Sequence, residues 1–156
     1  MSIEYEHSPQ IIKGVTITEL KQFSDSRGSV LRMLRNDDPE FVSFGECYFS
    51  EIHPGVIKAW KFHLKQTQLF AVPVGRIKLV IFDDRKGSIS KGNIQVIHMG
   101  RPDAYFRVTI PPGLWYGFCC KSKVSALLVN CSDMPHNSEE SKVKLQDDKL
   151  IPYKWK

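Results

Sequence analysis

The sequence lacks the features that mark membrane, secreted or metal-binding proteins. It has no apolar run near the roughly 20 residues that cross a bilayer. Residues 1–7 carry acids and lack the apolar stretch of a secretion signal. The cysteines, at positions 47, 119, 120 and 131, fit no zinc-binding or redox spacing. We therefore expect a cytoplasmic protein, without a membrane partner, whose cysteines remain reduced.

Concentrated basic charge is absent as well, although the chain is basic overall. Lysine and arginine number 22 against 17 aspartate and glutamate residues, for a formal net charge of +5. This excess suits an anionic ligand, which includes nucleic acid. Since no basic run or nucleic-acid-binding motif occurs, we expect a phosphorylated small molecule and no nucleic acid. A basic surface without any ligand explains the charge almost as well.

A helical hydrophobic period is also missing, because no window sustains one beyond two turns. Short β-branched and apolar runs separated by turn signals take its place. They predict strands over residues 15–20, 29–34, 46–53, 56–60, 68–74, 76–82, 94–98, 106–110, 114–119 and 124–129. The length of 156 residues is that of one domain. Many closely spaced strands predict a single all-β domain over residues 1–156, a sandwich or barrel.

The end of the chain changes character twice. Residues 138–149 are polar and predict a loop or a short C-terminal helix. Residues 151–155 are apolar again. We expect them to cover one end of the barrel.

Two stretches resemble the paired motifs of the cupin superfamily. Gly55, Lys61, His63, Gln68 and Gly75 have the spacing of the first motif, and residues 111–116 resemble the second. Cupins are jelly rolls, in which two packed antiparallel sheets line one cavity. The resemblance therefore implies a cupin jelly-roll barrel with an internal binding site.

The positions that hold the metal in metal-binding cupins are altered here. In place of three histidines and a glutamate, the sequence has Lys61, His63, Gln68 and Tyr116. A protonated lysine cannot ligate a metal, an amide is a weak ligand, and one imidazole does not hold a divalent ion well. We predict no metal and no other cofactor.

A narrower resemblance is to the dTDP-4-dehydrorhamnose 3,5-epimerases and related nucleotide-sugar cupins. It extends from about Gly14 to Trp155, and the segments that carry it are residues 23–28, 54–60, 75–88, 110–118 and 148–155. It implies a homodimeric epimerase or isomerase of a nucleotide-linked 4-keto-6-deoxy sugar. The implied pathway is deoxysugar or surface-polysaccharide synthesis. In such a reaction a proton leaves the carbon beside the ketone and another is added on the opposite face.

The implied chemistry needs a base, an acid on the opposite face, and a donor to the enolate oxygen. In the family these are a histidine backed by an aspartate, a tyrosine, and a lysine. The matching positions here are Lys61 for that histidine, Asp148 for the aspartate, Val129 for the tyrosine, Gln68 for the lysine, and Tyr116 for the histidine before Gly-Phe.

The predicted catalytic residues are His63, Lys61, Tyr116 and Asp148. Alternate residues of a strand share a face, so His63 and Lys61 would enter the cavity together while the aromatic residues beside them pack outside. We favour His63 as the base because imidazole titrates near neutral pH. A neutral Lys61 is the alternative, but a neighbouring Asp148 would favour its ammonium form. Tyr116 is the expected acid.

The predicted substrate-binding residues are Phe23, Arg27, Lys58, Gln66 and Gln68. Arg27 matches the family's phosphate-contacting arginine, and a guanidinium suits phosphate. The alternative, which we favour less, is an exposed residue of the turn at 25–28. For Lys58 the two interpretations are evenly balanced, and polar residues such as Gln66 and Gln68 are common at the start of a strand.

The substitutions leave a second function class open. The domain could bind a nucleotide sugar without catalysis, with Lys61 and Asp148 forming a structural ion pair. Incorporation of solvent deuterium at C3 or C5 of the sugar would indicate an enzyme. Binding without incorporation would indicate a binding module.

Overall fold

The computed structural model describes residues 10–156, which form an all-β fold with one short 3₁₀ helix. The strands are β1 (Thr16–Glu19), β2 (Gln22–Asp25), β3 (Gly28–Leu31), β4 (Glu46–Ile52), β5 (Ile57–His63), β6 (Gln68–Val74), β7 (Arg76–Phe82), β8 (Ile94–Gly100), β9 (Phe106–Ile110), β10 (Trp115–Cys120), β11 (Ala126–Ser132) and β12 (Ser141–Val143). The expectation about a secretion signal concerns residues outside this range. Within the range, no helix is long and apolar enough to cross a membrane.

Two five-stranded antiparallel sheets pack face to face. The first has the order β1-β9-β6-β11-β4 and the second the order β12-β5-β10-β7-β8. Apolar side chains from both inner faces, including Ile52, Leu79, Ile110 and Leu128, form the main core. Burying each of these contributes about 1.5–3 kcal/mol relative to exposure. The predicted jelly-roll fold is confirmed.

Two strands at the predicted site differ from expectation. β5 continues to His63, because this segment pairs with both β10 and β12 and is not an edge. β2 lies in a segment for which no strand was predicted, and it forms a two-stranded hairpin with β3. The hairpin therefore extends the predicted turn at 25–28 on both sides.

The polar tail contains a short helix, one of the two predicted alternatives, adds a strand that was not predicted, and provides part of the site. A 3₁₀ helix at Ser138–Glu140 begins at Asn137, whose side chain accepts a hydrogen bond from the Glu139 backbone N–H. The chain then forms β12, whose Val143 is paired with Lys61 of β5. This pairing fixes the tail against the strand that carries the predicted catalytic residues.

We expected the apolar C-terminus to cover one end of the barrel, but it does not. Ile151, Tyr153 and Trp155 pack against a cluster on the outer face of the second sheet, which includes Trp60 and Trp115. Since alternate residues of β5 point outward, Trp60 presents an apolar surface that must be covered. The C-terminus covers that face.

Gly117 permits the close approach of two site-bearing strands. A Cβ atom at this position would lie 2.5 Å from Cβ of Ala59 and 2.9 Å from Cζ2 of Trp155. The β10–β5 register also shifts between Tyr116 and Gly117. Glycine therefore lets β10 lie against β5 directly beside Tyr116.

Candidate active site

A cavity of about 330 Å³ lies between the two sheets. The first sheet contributes Tyr48, Phe70 and Leu128 to its wall, and the second contributes Lys58, Lys61, Tyr116 and Phe118. Lys144, just after β12, also lines it, and no carboxylate does so within the described part of the chain. The ammonium group of Lys144 is paired with Asp148 and lies over the ring of Trp115, so Lys58 and Lys61 supply the positive charge that favours an anionic ligand.

Behind one wall, three polar side chains form a hydrogen-bonded line. Nδ1 of His63 lies 2.5 Å from Oε1 of Glu140, and Nε2 of His63 lies 3.0 Å from Oη of Tyr116. The second carboxylate oxygen of Glu140 accepts hydrogen bonds from the backbone N–H groups of Lys65 and Gln66. Both ends of the imidazole are thus held, and the line ends at the cavity.

The protonation states follow from burial and these contacts. Burial lowers the pKa of His63, more strongly than Glu140 raises it, so the imidazole is neutral. Although burial alone would raise the pKa of Glu140, hydrogen bonds from His63 and two backbone N–H groups lower it below its ordinary value. Burial raises the pKa of Tyr116 well above its ordinary value, with smaller contributions from Tyr48 and Glu140.

These directions assign the hydrogens. The carboxylate of Glu140 can only accept, so Nδ1 of His63 donates to it. Nε2 is then the unprotonated nitrogen and accepts from the hydroxyl of Tyr116. A carboxylate, a neutral imidazole and a hydroxyl in this order form the arrangement by which a histidine withdraws a proton from an oxygen.

His63 is not in a position to contact a substrate in the cavity directly. It is only 5% exposed and does not line the cavity, since Tyr116 separates it from that space. Lys61, in contrast, lines the cavity and is the direct strand partner of Tyr116. As predicted, the neighbouring Trp60 and Phe62 pack on the opposite face of the sheet. His63 can therefore act on the cavity only through Tyr116.

The predicted binding residues Gln66 and Gln68 require a correction, because both amides are used inside the protein. Nε2 of Gln68 donates to Oε1 of Gln66 at 2.8 Å, and Nε2 of Gln66 donates to the carbonyl of Met134 at 2.6 Å. Oε1 of Gln68 accepts from Nδ2 of Asn130 at 2.6 Å. Gln68 is 1% exposed, and neither glutamine lines the cavity.

Asp148 also requires a correction as a catalytic partner of Lys61. Its carboxylate lies 3.1 Å from Nζ of Lys144 and accepts the backbone N–H of Leu150. Lys144 stands only four residues earlier, so this local pair forms within the tail itself. Within residues 10–156, the carboxylate that pairs with a predicted catalytic residue of β5 is that of Glu140, which bonds to His63.

Val129, at the position of the family's tyrosine, faces away from the cavity because successive residues of a strand point to opposite faces. Leu128 lines the cavity and Asn130 is fully buried on the same side of β11. Val129, between them, points to the other face of the strand. The position to which the resemblance assigned the acid therefore has no side chain in the cavity.

The hairpin residues Phe23 and Arg27 lie apart from this chain's own cavity, whereas Lys58 lines it. The side chain of Arg27 is 88% exposed and bonds to Asp25 at 2.6 Å. Nζ of Lys58 donates to Oγ of Ser50 and to the carbonyl of Glu51. Of the predicted binding residues, only Lys58 is in position to contact a ligand within one chain.

Nothing in the described residues forms a cluster of three or more His, Cys, Asp or Glu side chains able to hold a metal. Both ring nitrogens of His63 already have protein partners. The absence of a metal cofactor stays a prediction.

Three residues of the site had no signal in the sequence motifs. Glu140 lies in the polar tail, 77 positions from His63. Tyr48 stands two residues from Ser50 on β4, and this spacing could have indicated a shared inner face. Asn130 directly follows Val129, the position assigned to the family's tyrosine. Its role is apparent only once the structure shows which face of β11 it lies on.

Comparison with known proteins gives consistent results. The family model described as dTDP-4-dehydrorhamnose 3,5-epimerase matches residues 9–155. The chain is 31% identical over 147 residues to the spore coat polysaccharide biosynthesis protein SpsL of Bacillus subtilis (strain 168), covering 93% of this chain and 97% of that protein. It is 32% identical over 144 residues to the probable low-salt glycan biosynthesis epimerase Agl13 of Haloferax volcanii, covering 91% and 88%.

A solved structure shares both fold and sequence. The dTDP sugar isomerase from Desulfovibrio desulfuricans G20 superposes with a TM-score of 0.91 and is 46% identical. The match covers 92% of each chain. The two-sheet architecture is therefore common to both proteins.

Proposed function

Because the chain belongs to the dTDP-4-dehydrorhamnose 3,5-epimerase family, we propose that it epimerises a nucleotide-linked 4-keto-6-deoxy sugar at a carbon next to the ketone. The observation that carries this proposal is the line Glu140–His63–Tyr116, which ends in a lysine-lined cavity. It supplies a proton acceptor although Lys61 and Val129 replace the family's histidine and tyrosine.

Tyr116 is the group that meets the substrate. Its oxygen takes the proton from the sugar carbon while its own proton passes to Nε2 of His63, and the electron pair of the broken C–H bond forms an enolate. The imidazolium that results is stabilised by the adjacent carboxylate of Glu140. Concerted transfer avoids a free tyrosinate, which the raised pKa of Tyr116 disfavours.

Lys61 supplies positive charge where the enolate forms. It lines the cavity beside Tyr116, and its ammonium can donate to the oxygen that was the C4 carbonyl. The family's lysine role thus falls to Lys61, and its histidine role falls to His63 acting through Tyr116. The two functions are kept, on different positions of the same sheet.

Lys58 fits the charged part of the substrate. It lines the cavity together with Lys61, and no described carboxylate lines it. A nucleoside diphosphate carries its charge on the diphosphate, so this group would lie nearest to Lys58, since the ammonium of Lys144 is already paired with Asp148. No nucleic-acid partner is proposed.

The biological setting follows from the relatives. SpsL is described by its role in spore coat polysaccharide biosynthesis and Agl13 by its role in glycan biosynthesis. We place the present protein in surface-polysaccharide or deoxysugar synthesis in the cytoplasm. Its four cysteines are free thiols, as suits a reducing compartment.

The enzyme acts as a homodimer in this proposal. The β2–β3 hairpin exposes the large apolar side chains of Phe23 and Val30, and strand β4 exposes Phe49. A second copy would cover these side chains. Arg27, which is remote from its own cavity, would then reach the diphosphate in the partner's cavity.

The direct test is proton exchange in heavy water. The wild-type protein is incubated with dTDP- and UDP-linked 4-keto-6-deoxyglucose, and C3 and C5 are followed by NMR. We expect deuterium at one or both carbons, and His63→Asn should abolish it, whereas His98→Asn, on β8 and outside the cavity, should not. Binding measured by calorimetry without any wild-type exchange would favour the non-catalytic alternative.

A further inference from the structure

Epimerisation needs a proton donor on the face of the carbon opposite Tyr116. The two sheets lie on opposite sides of the cavity, with Tyr116 on β10 of the second sheet. On the facing wall, the first sheet contributes Tyr48, Ser50, Phe70 and Leu128 from its strands. Of these four, only Tyr48 and Ser50 carry a hydroxyl proton. A phenol is a far stronger acid than an aliphatic alcohol, and Oγ of Ser50 is already bonded to Nζ of Lys58, so Tyr48 is the proton donor on this wall.

The hydroxyl of Tyr48 has a fixed orientation, set first by Asn130. Oδ1 of Asn130 accepts the backbone N–H of Leu69 at 3.0 Å, and a backbone N–H can only donate. The amide nitrogen of Asn130 must therefore face the other way. There it donates to Oη of Tyr48 at 3.0 Å and to Oε1 of Gln68 at 2.6 Å.

The side-chain amides of Asn130, Gln68 and Gln66 form a hydrogen-bonded chain, and its other end, at Gln66, requires the same orientation. The carbonyl of Met134 can only accept, so the amide nitrogen of Gln66 faces it. Oε1 of Gln66 must then accept from Gln68, whose own oxygen accepts from Asn130. Since both ends require the same direction, the oxygen of Tyr48 accepts a hydrogen bond and its own hydrogen is directed elsewhere, toward the cavity that it lines.

We propose that Tyr48 is the catalytic acid that delivers a proton to the sugar carbon on the face opposite Tyr116. This inference rests on the proposed function. The new C–H bond forms from the Tyr48 hydroxyl proton and the electron pair of the enolate, whose C4 oxygen returns to a ketone. Tyr48 is left as a phenolate, which the N–H of Asn130 stabilises.

The exposure of Tyr48 allows its side chain to be reprotonated after each turnover. The residue is 38% exposed, so the phenolate can recover a proton from solvent. On the other side, the proton held by His63 returns to Tyr116, whose side chain lines the cavity and can exchange its hydroxyl proton with solvent there. Burial raises the pKa of Tyr48, and the hydrogen bond from Asn130 only partly opposes this, so the hydroxyl is protonated before each turnover.

The test separates proton removal from inversion. Tyr48→Phe should still exchange the substrate carbon's proton with heavy water, because Tyr116 and His63 are intact, but should form the inverted sugar about 10²- to 10⁴-fold more slowly. Asn130→Asp should act in the same direction, since its carboxylate would accept the Tyr48 proton and turn it away from the cavity. Tyr105→Phe, a tyrosine outside the cavity, is the matched control.

The outcomes distinguish this inference from the proposed function. Inversion by Tyr48→Phe at the wild-type rate would overturn the role of Tyr48, as would a folded Tyr48→Phe protein that loses exchange together with inversion. Absence of exchange in the wild-type protein would instead overturn the proposed function. Thermal unfolding of each variant shows whether it is folded.

Discussion

Glu140 and His63 are separated by 77 positions in the sequence, yet their carboxylate and imidazole lie 2.5 Å apart and almost completely buried. The 3₁₀ helix that carries Glu140 is held to β5 through the pairing of β12. The tail, which has the least regular sequence pattern, thus orients the central residue of the site. Five predictions start from this arrangement and extend to the cavity and to the neighbouring subunit.

Replacing Tyr116 by phenylalanine should lower kcat about 10²- to 10⁴-fold, because it removes the oxygen that joins the substrate to His63. The ring remains in place, so the core contact with Phe70 is kept. Steady-state kinetics on the active sugar nucleotide measure the change. Tyr105→Phe should keep kcat near the wild-type value, and a Tyr116→Phe enzyme of undiminished kcat would contradict the proposed line of transfer.

The pH dependence of kcat/KM should have an acid limb below pH 6.5. Burial lowers the pKa of His63 below this ordinary value, and only the neutral imidazole can accept the Tyr116 proton. In Glu140→Gln the limb should move to lower pH, because the carboxylate raises the pKa of His63, and kcat should fall. A limb that keeps its position in Glu140→Gln would mean that the carboxylate does not act on His63.

Stability should fall in acid in two stages. The folded pKa of His63 is lowered, so the unfolded chain binds a proton first and stability declines as the pH falls from about 6.5 toward the folded value. The folded pKa of Glu140 is also lowered, so its contribution is present above about pH 4.5 and is lost below. Urea unfolding from pH 7 to about pH 3 measures both, and the first stage should disappear in His63→Asn.

The cavity lysines should have separable effects. Lys61→Met should lower kcat about 10²- to 10³-fold, because the enolate loses its positive partner while the aliphatic volume is kept. Lys58→Met should chiefly raise KM, since this side chain lies toward the expected diphosphate position. Calorimetry with dTDP provides the check on Lys58. The reverse assignment, with kcat falling only in Lys58→Met, would exchange their roles.

Arg27 should act on the neighbouring subunit. Arg27→Ala should weaken dTDP binding while leaving the fold unchanged, because its own ion pair with Asp25 is exposed and contributes little. Subunits carrying Arg27→Ala mixed with subunits carrying Lys61→Met should recover about a quarter of wild-type activity, since each mixed dimer has one intact cavity. No recovery after subunit exchange, or a monomer in analytical ultracentrifugation, would contradict this arrangement.

Much of the fold was predictable from the sequence for a local reason. Strand positions follow from alternation and turn residues within a few neighbours, and the predicted strands from 46 to 129 match the observed ones closely. The same alternation correctly placed Trp60 and Phe62 outside the second sheet. It also brought Lys61 and Tyr116 to one cavity, as the motif spacing indicated.

The partners of those residues could not be predicted in the same way. Spacing and family resemblance indicated Asp148, Gln66 and Gln68, yet these side chains bond within the tail or behind the wall. Their actual places in the site are taken by Glu140 and Tyr48. Nothing in a single sequence indicates which of several polar tail residues meets a strand 77 positions away.

The sequence by itself therefore determined the all-β architecture, the family, and Lys61 and Tyr116 as neighbours in the cavity wall. These features depend on short-range periodicity and motif spacing. Tertiary structure decided which carboxylate meets His63, which way the amide of Asn130 faces and which tyrosine opposes Tyr116. Those contacts join distant strands, and their selection depends on burial: a polar group withdrawn from water must find a partner wherever the fold provides one.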